Sequence, residues 1–116
     1  MFRNYNFILI LIGAIPGAVL RWQLQNYILA NLIGALVIGI IIGMKLSAST
    51  NLILGFGFCG SLTTYSSWLI NSAYLLFNGD YLEALFSTVS MILIGLTFSF
   101  IGYNIGKGAK HLMLIQ

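Results

Sequence analysis

Gly57-Phe58-Cys59-Gly60-Ser61-Leu62-Thr63-Thr64-Tyr65-Ser66-Ser67-Trp68 is the stretch on which the reading of this chain turns. It sets glycines, the hydroxyls of Thr63, Thr64, Ser66 and Ser67, and two amphipathic aromatics inside an otherwise apolar segment, 51–77. A helix buried in lipid has no use for so much polarity unless it faces a neighbour or a water-filled path. Gly55, Gly57 and Gly60 weaken the helix just before Thr63 and Thr64, so a break is expected there. A break frees backbone carbonyls and amides, which a membrane tolerates only where protein or an ion satisfies them. The competing reading is a continuous helix whose Ser and Thr hydroxyls bond back to their own turn.

The rest of the chain frames that segment. Of 116 residues, 59% are hydrophobic and 6% charged, against roughly a quarter charged in ordinary soluble domains. Apolar stretches near the spanning length of about 20 residues recur. The expected fold is all-α and integral to the membrane, one domain (1–116) of four transmembrane helices at about 7–24, 27–44, 51–77 and 81–106. The third is broken near its middle. So short a chain has little interior, and a pore or transport site would need a second subunit besides membrane lipid. The single Cys59 excludes an intramolecular disulfide and a multi-cysteine metal site, and reads as a helix-packing residue. Met1 to Asn6 is taken as the start of the first span, since no small-x-small cleavage site closes a short apolar run.

In the first span Pro16 predicts a kink near Ile15. Gly13 and Gly17 form a GxxxG pair for close helix approach. Arg21 is either a snorkelling interfacial residue beside Trp22 or a cation that raises local anion concentration at a pore mouth. Asn31, alone among apolar residues of the second span, either makes an interhelical hydrogen bond or donates to a permeating anion. Lys45 and the polar run 47–51 mark a loop. Asn78-Gly79-Asp80 is a turn, with Glu83 in the first turn of the next helix. Ser87, Thr88 and Ser90 are backbone-bonded filler or one wall of a pore. In the tail, Lys107 to Gln116, His111 reads as solvated. With four spans, Arg3, Lys45, Lys107 and Lys110 share one side and Arg21 lies on the other. This bias places both termini in the cytoplasm and argues for one fixed orientation.

Three motifs in order resemble the Fluc (CrcB) family of fluoride channels. The family's third-helix signature G-F-x-G-G-F-T-T-F-S-T-F matches Gly57 to Trp68. Its first-helix G-G-x-x-G-A-x-x-R matches Gly13 to Arg21, and its second-helix N-x-x-G matches Asn31 to Gly34. The resemblance covers nearly the whole chain. It implies an antiparallel dimer in a microbial plasma membrane that lets fluoride leave the cytoplasm by passive diffusion and so lowers its toxicity. It also implies a structural sodium ion at the dimer centre on the carbonyls of Gly60 and Thr63. By the same resemblance Asn31 contacts fluoride, Ser66 and Ser67 lie beside the pore, and Arg21 lies at the vestibule. The family's two pore phenylalanines fall at Tyr65 and Trp68, and its fourth-helix Tyr at Ser87. Both aromatic replacements keep a ring edge and add a donor, though Trp68 is also bulky enough to plug the path. Some members pair non-identical subunits in opposite orientations, which the charge bias fits. A heterodimer subunit is therefore expected, with an active homodimer as the alternative.

Other classes fare worse. A small multidrug exporter needs a membrane-embedded carboxylate, and here the acids are Asp80 and Glu83, beside a loop. A non-conducting assembly subunit would give no flux with any partner. No cluster of acid, base and nucleophile points to an enzyme, and nothing points to nucleic acid.

Overall fold

A computed structural model describes residues 4–115, so Arg3 of the charge argument lies outside the described residues. The described chain is helical almost throughout. The elements are α1 (Asn4–Leu24), α2 (Tyr27–Met44), α3 (Ala48–Thr50), a π-wound stretch (Asn51–Cys59), α4 (Gly60–Leu62), α5 (Tyr65–Phe77) and α6 (Tyr81–Ile115). α3, the π-wound stretch and α4 run on as one rod, 48–62, in which the Gly60 N–H reaches back to the Gly55 carbonyl, five residues away. Three helices, α1, α2 and α6, are each long and apolar enough to cross a membrane. The expected third span, 51–77, falls on the rod and α5, neither of which meets that length alone.

Caps and turns set the ends. Asn26 opens α2, its side chain accepting from the N–H groups of Ile28 and Leu29 at 3.0 and 3.2 Å. Ser47 accepts from the Thr50 N–H, which starts the rod within the polar run 47–51 that the sequence suggested was loop. A Ser side chain can nucleate a helix there because it satisfies one of the orphan amides of the first turn. Gly79, at φ +82°, makes the turn between α5 and α6. α1 runs through Pro16 as a single helix. α6 does not end near Gly106 but continues to Ile115; neither proline nor a left-handed glycine interrupts it, and Lys and Ala sustain it.

Packing rests on glycine rather than on bulk. Gly13 and Gly17 of α1 lie against the backbone of Ile53 and Phe58, and Gly57 returns the contact on Ile10 and Gly13. A Cβ at any of the three would meet backbone, which cannot give way. Gly39 and Gly43 of α2 meet Ser99 and Tyr103, while Gly102 and Gly106 of α6 meet Leu36 and Ile40. The Ser99 hydroxyl donates to the Ala35 carbonyl across the same seam at 3.1 Å. Helices in lipid gain little from hiding apolar surface from one another, so close backbone approach and interhelical hydrogen bonds hold them together. Few side chains are buried: Leu62, just before the break, is the largest with no exposed surface, whereas Phe77 is 91% exposed. So much outward apolar surface suits lipid and a further protein chain.

Candidate functional site

The helix is interrupted at Thr63 (ψ 151°) and Thr64 (φ −140°, ψ 120°), both extended. The interruption is held from three directions. The Thr63 hydroxyl donates to the Cys59 carbonyl at 2.9 Å, closing the end of the rod. Thr64 caps α5, its Oγ1 accepting from the Ser67 N–H. From across the molecule, Asn31 accepts from the Thr64 N–H at 2.7 Å and donates to the Thr64 carbonyl at 3.0 Å. That reciprocal pair satisfies both backbone groups of one extended residue in surroundings where neither could be left bare. Gly34, one turn after Asn31, makes room for the Thr63 methyl, which a Cβ would strike.

The clamp fixes where the remaining polar groups go. Because the Thr64 N–H turns to Asn31, it is not available to the Gly60 carbonyl, its partner in an unbroken helix. Gly60 itself is exposed, and nothing lies within 4 Å of where its Cβ would be. A carbonyl without its helical partner, beside Thr63 and on an open flank, suits a hard cation that takes oxygen ligands. One chain offers too few such oxygens to complete a shell, so the donor set fits sodium only with a second chain contributing its own.

Four hollows lie at or beside the break. The first, of about 540 Å³, is lined by Arg21, Trp22, Gln25, Thr64, Ser66 and Ser67 among others. It therefore brings Arg21 to the N-terminus of α5, where amides and hydroxyls concentrate. The hydroxyls of Thr64, Ser66 and Ser67 lie within 3.3 Å of one another through Thr64. Among the described residues Arg21 has no carboxylate partner, and a free cation beside a helix N-terminus attracts anions. The second, of about 250 Å³, is lined by Asn31, Thr63, Thr64, Tyr65, Trp68, Met91 and Ile92. The third, of about 300 Å³, lies between α5 and α6 and takes in Trp68, Asn71, Glu83, Ser87 and Ser90 with Tyr27 of α2.

Every residue expected from the sequence to serve the site is thus placed. Arg21 shares a hollow with Ser66 and Ser67, Asn31 shares one with Thr63, Tyr65 and Trp68, and Trp68 shares one with Ser87. Gly60 joins Asn31 and Thr63 along another open face, beside Gly95. Arg21 and Asn31 share no hollow, and Thr64 is the residue common to both sides. Of the two readings of Asn31, the interhelical hydrogen bond is present, while its second Nδ2 hydrogen is left over. Ser87 and Ser90 both line the α5–α6 hollow, but the Ser90 hydroxyl is bonded back to the Phe86 carbonyl at 2.6 Å, the filler role. Sequence reasoning passed over Asn71. Its position three residues after Trp68, on one face of a helix, was the available signal.

Comparison with known proteins adds the relatives. The family described as "CrcB-like protein, Camphor Resistance (CrcB)" matches residues 8–103. A protein of Prochlorococcus marinus (strain MIT 9313) named fluoride-specific ion channel FluC 2 is 44% identical over 98 residues, covering 84% of this chain and 79% of that one. A protein of another strain of that species, named fluoride-specific ion channel FluC 1, is 36% identical over 112 residues, covering 97% of this chain and 90% of that one. The more distant fluoride-specific ion channel FluC of Haemophilus ducreyi is 30% identical over 114 residues, covering 88% and 92%.

Proposed function

The chain belongs to the CrcB family, and from that premise we propose that it is a fluoride-selective channel, one subunit of an antiparallel pair, through which fluoride leaves the cytoplasm down its gradient. It is not an enzyme. The observation that carries the reading is the Asn31–Thr64 clamp: a break in a membrane helix, held open from another helix and flanked by an unpaired arginine on one side and aromatic donors on the other. Nothing in such an arrangement turns over a substrate, and everything in it replaces water around a small anion.

Arg21 raises the anion's concentration in the outer recess, where Ser66 and Ser67 supply the first hydroxyls. The α5 N-terminus adds its partial positive charge. The second N–H of Asn31 and the ring edges of Tyr65 and Trp68 then line the narrow part, and Asn71 and Ser87 continue beyond it. Fluoride is small and strongly hydrated, so a narrow route of strong donors favours it over chloride. Gly60 and Thr63 would hold the structural sodium by their carbonyls, together with the same pair from the second subunit. Sodium bound there supplies a fixed charge that ties the two broken helices together.

The second subunit is proposed as a paralogue. Numbered relatives named FluC 1 and FluC 2 and the bias of Lys45, Lys107 and Lys110 toward one side support two chains with fixed, opposite orientations. The same bias supports cytoplasmic termini in a microbial plasma membrane. The deciding experiment is fluoride efflux from liposomes holding this chain alone, read with a fluoride electrode and repeated with chloride. Rapid fluoride-selective loss establishes a homodimer. Silence alone, relieved by a co-purified paralogue, establishes the heterodimer; silence with both overturns the channel reading.

A further inference from the structure

A further hollow, of about 440 Å³, lies away from the break, between the end of α2 and the start of the rod. Ile38, Ile41, Ile42 and Lys45 line it from one side, Gly55 and Phe56 from the other. Residues three and four apart share a helix face. The isoleucines therefore form an apolar stripe that runs for about 10 Å, at 1.5 Å per residue, up to the lysine. Gly55 keeps the hollow open. Gly39, Gly43 and Gly57 lie against a neighbour's backbone, whereas a Cβ at Gly55 would meet only the end of the Ile38 side chain, at 3.4 Å. The room left by its missing side chain is not taken up by the chain itself. Ile42 and Phe56 are largely exposed, at 59% and 65%.

The cation at the end of the stripe sits in an unusual backbone. Lys45 has φ +51° and ψ 55°, with its N–H donating to the Ile42 carbonyl. This is the left-handed position after a helix that glycine fills without strain. Among the described residues Lys45 has no carboxylate partner, and neither of the chain's acids, Asp80 and Glu83, lines the hollow. Lys107 stands at the same end, its backbone against Gly43.

We propose that this hollow holds one anionic phospholipid, with an acyl chain along the isoleucine stripe and the phosphate on the Lys45 ammonium. Shape and charge select the occupant. An apolar groove that ends in a lone cation is the complement of an amphiphile with an anionic head. A helix as apolar as α2 also ends where headgroups begin. A zwitterionic lipid brings its own cation, which competes with Lys45 for the phosphate. The end of α2 is the one proposed above to face the cytoplasm, the leaflet where anionic lipids gather. A lysine that served only the dipole of α2 would need no hollow beside it. The inference does not depend on fluoride passing through the protein.

Lipid retention tests it without a flux measurement. The full chain, with its paralogue where assembly requires one, is titrated in nonionic detergent with phosphatidylglycerol or with phosphatidylcholine of the same acyl chains. Bound lipids are counted by native mass spectrometry. The expected result is one phosphatidylglycerol per chain, held about fivefold more tightly than phosphatidylcholine, the worth of one basic residue at an anionic surface. Lys45→Gly should erase that preference while keeping or raising thermal stability, since glycine suits the backbone there. Lys45→Arg should keep the preference, and Gly55→Leu, which fills the hollow, should release both lipids. Equal affinity for the two lipids overturns the proposal, as does a preference untouched by Lys45→Gly. A preference that survives in folded Gly55→Leu reduces the effect to surface attraction and overturns the site; if that variant does not fold, the two Lys45 variants decide. Retention of neither lipid by the assembled protein gives the hollow to the second subunit and overturns the proposal as well.

Discussion

Replacing Asn31 with Ala tests the clamp directly. The side chain makes two hydrogen bonds, to the Thr64 N–H at 2.7 Å and to the Thr64 carbonyl at 3.0 Å, and the variant leaves both backbone groups without partners. An unsatisfied buried polar group costs about 1–3 kcal/mol, so even the lower figure for each gives about 2 kcal/mol, roughly 30-fold in the population of the broken geometry. Rewinding the break offers no escape. Two residues drawn back into the helix would turn α5 by about 200° at 3.6 residues per turn, pulling the buried Ser72 from Thr88, which lies 3.5 Å away on α6. The expected outcome is therefore a loss of about 2 kcal/mol or more in unfolding free energy in detergent, together with at least a tenfold fall in fluoride efflux. Flux lost with stability kept within about 0.5 kcal/mol would show that Asn31 acts only on the ion. Both properties kept would falsify the clamp altogether.

Asn31→Asp exchanges the donor for a carboxylate that faces both the Thr64 carbonyl and the passing anion, so flux should vanish; normal efflux would remove Asn31 from the path. Gly57→Ala and Gly60→Ala should part company. The first drives a Cβ into the Ile10 carbonyl and should abolish folded protein on size-exclusion chromatography, whereas the second meets nothing within the chain and should spare its fold while weakening pairing with the second subunit. Thr63→Val removes the 2.9 Å bond to Cys59 but keeps the main-chain carbonyl, so sodium-dependent stabilisation of the assembly should survive a drop of about 1 kcal/mol in stability. Arg21→Gln should slow efflux several-fold at low salt and much less at high salt, since screening already weakens a surface charge; a salt-independent loss would argue for a structural role.

How far the sequence carried differs by region. Composition and apolar run length were enough for a membrane-embedded helical chain, because the bilayer leaves almost no other option for such a sequence. The motifs carried the family, which the relatives establish. The partners were not legible. Asn31 and Thr64 lie 33 residues apart, and a lone Asn in an apolar helix is equally consistent with a backbone, a neighbouring side chain or an ion. Asn71, in the middle of α5, went unnoticed because a lone polar residue in an apolar helix says nothing of what it faces until the facing helix is known. The far end of α6 was misjudged for a similar reason. Lys107, Lys110 and His111 look like a tail, yet charged residues beyond the membrane are good helix formers and nothing there stops the ladder.

The π-wound stretch at Asn51–Cys59 has a bearing on how the chain tolerates change in length. Each of its turns holds more residues than an α-turn needs, since its amides reach back five residues rather than four. Removing one residue there lets the ladder tighten to the α-spacing and leaves Thr63 facing almost the direction it faces now. The same deletion in α1 or α2 would swing everything beyond it by about 100° and tear glycine from backbone along a whole seam. The rod thus holds a reserve of slack just ahead of the break. A one-residue deletion scan should find the tolerant positions at Asn51 and Leu52, ahead of the contacts that Ile53, Gly57 and Phe58 make with α1.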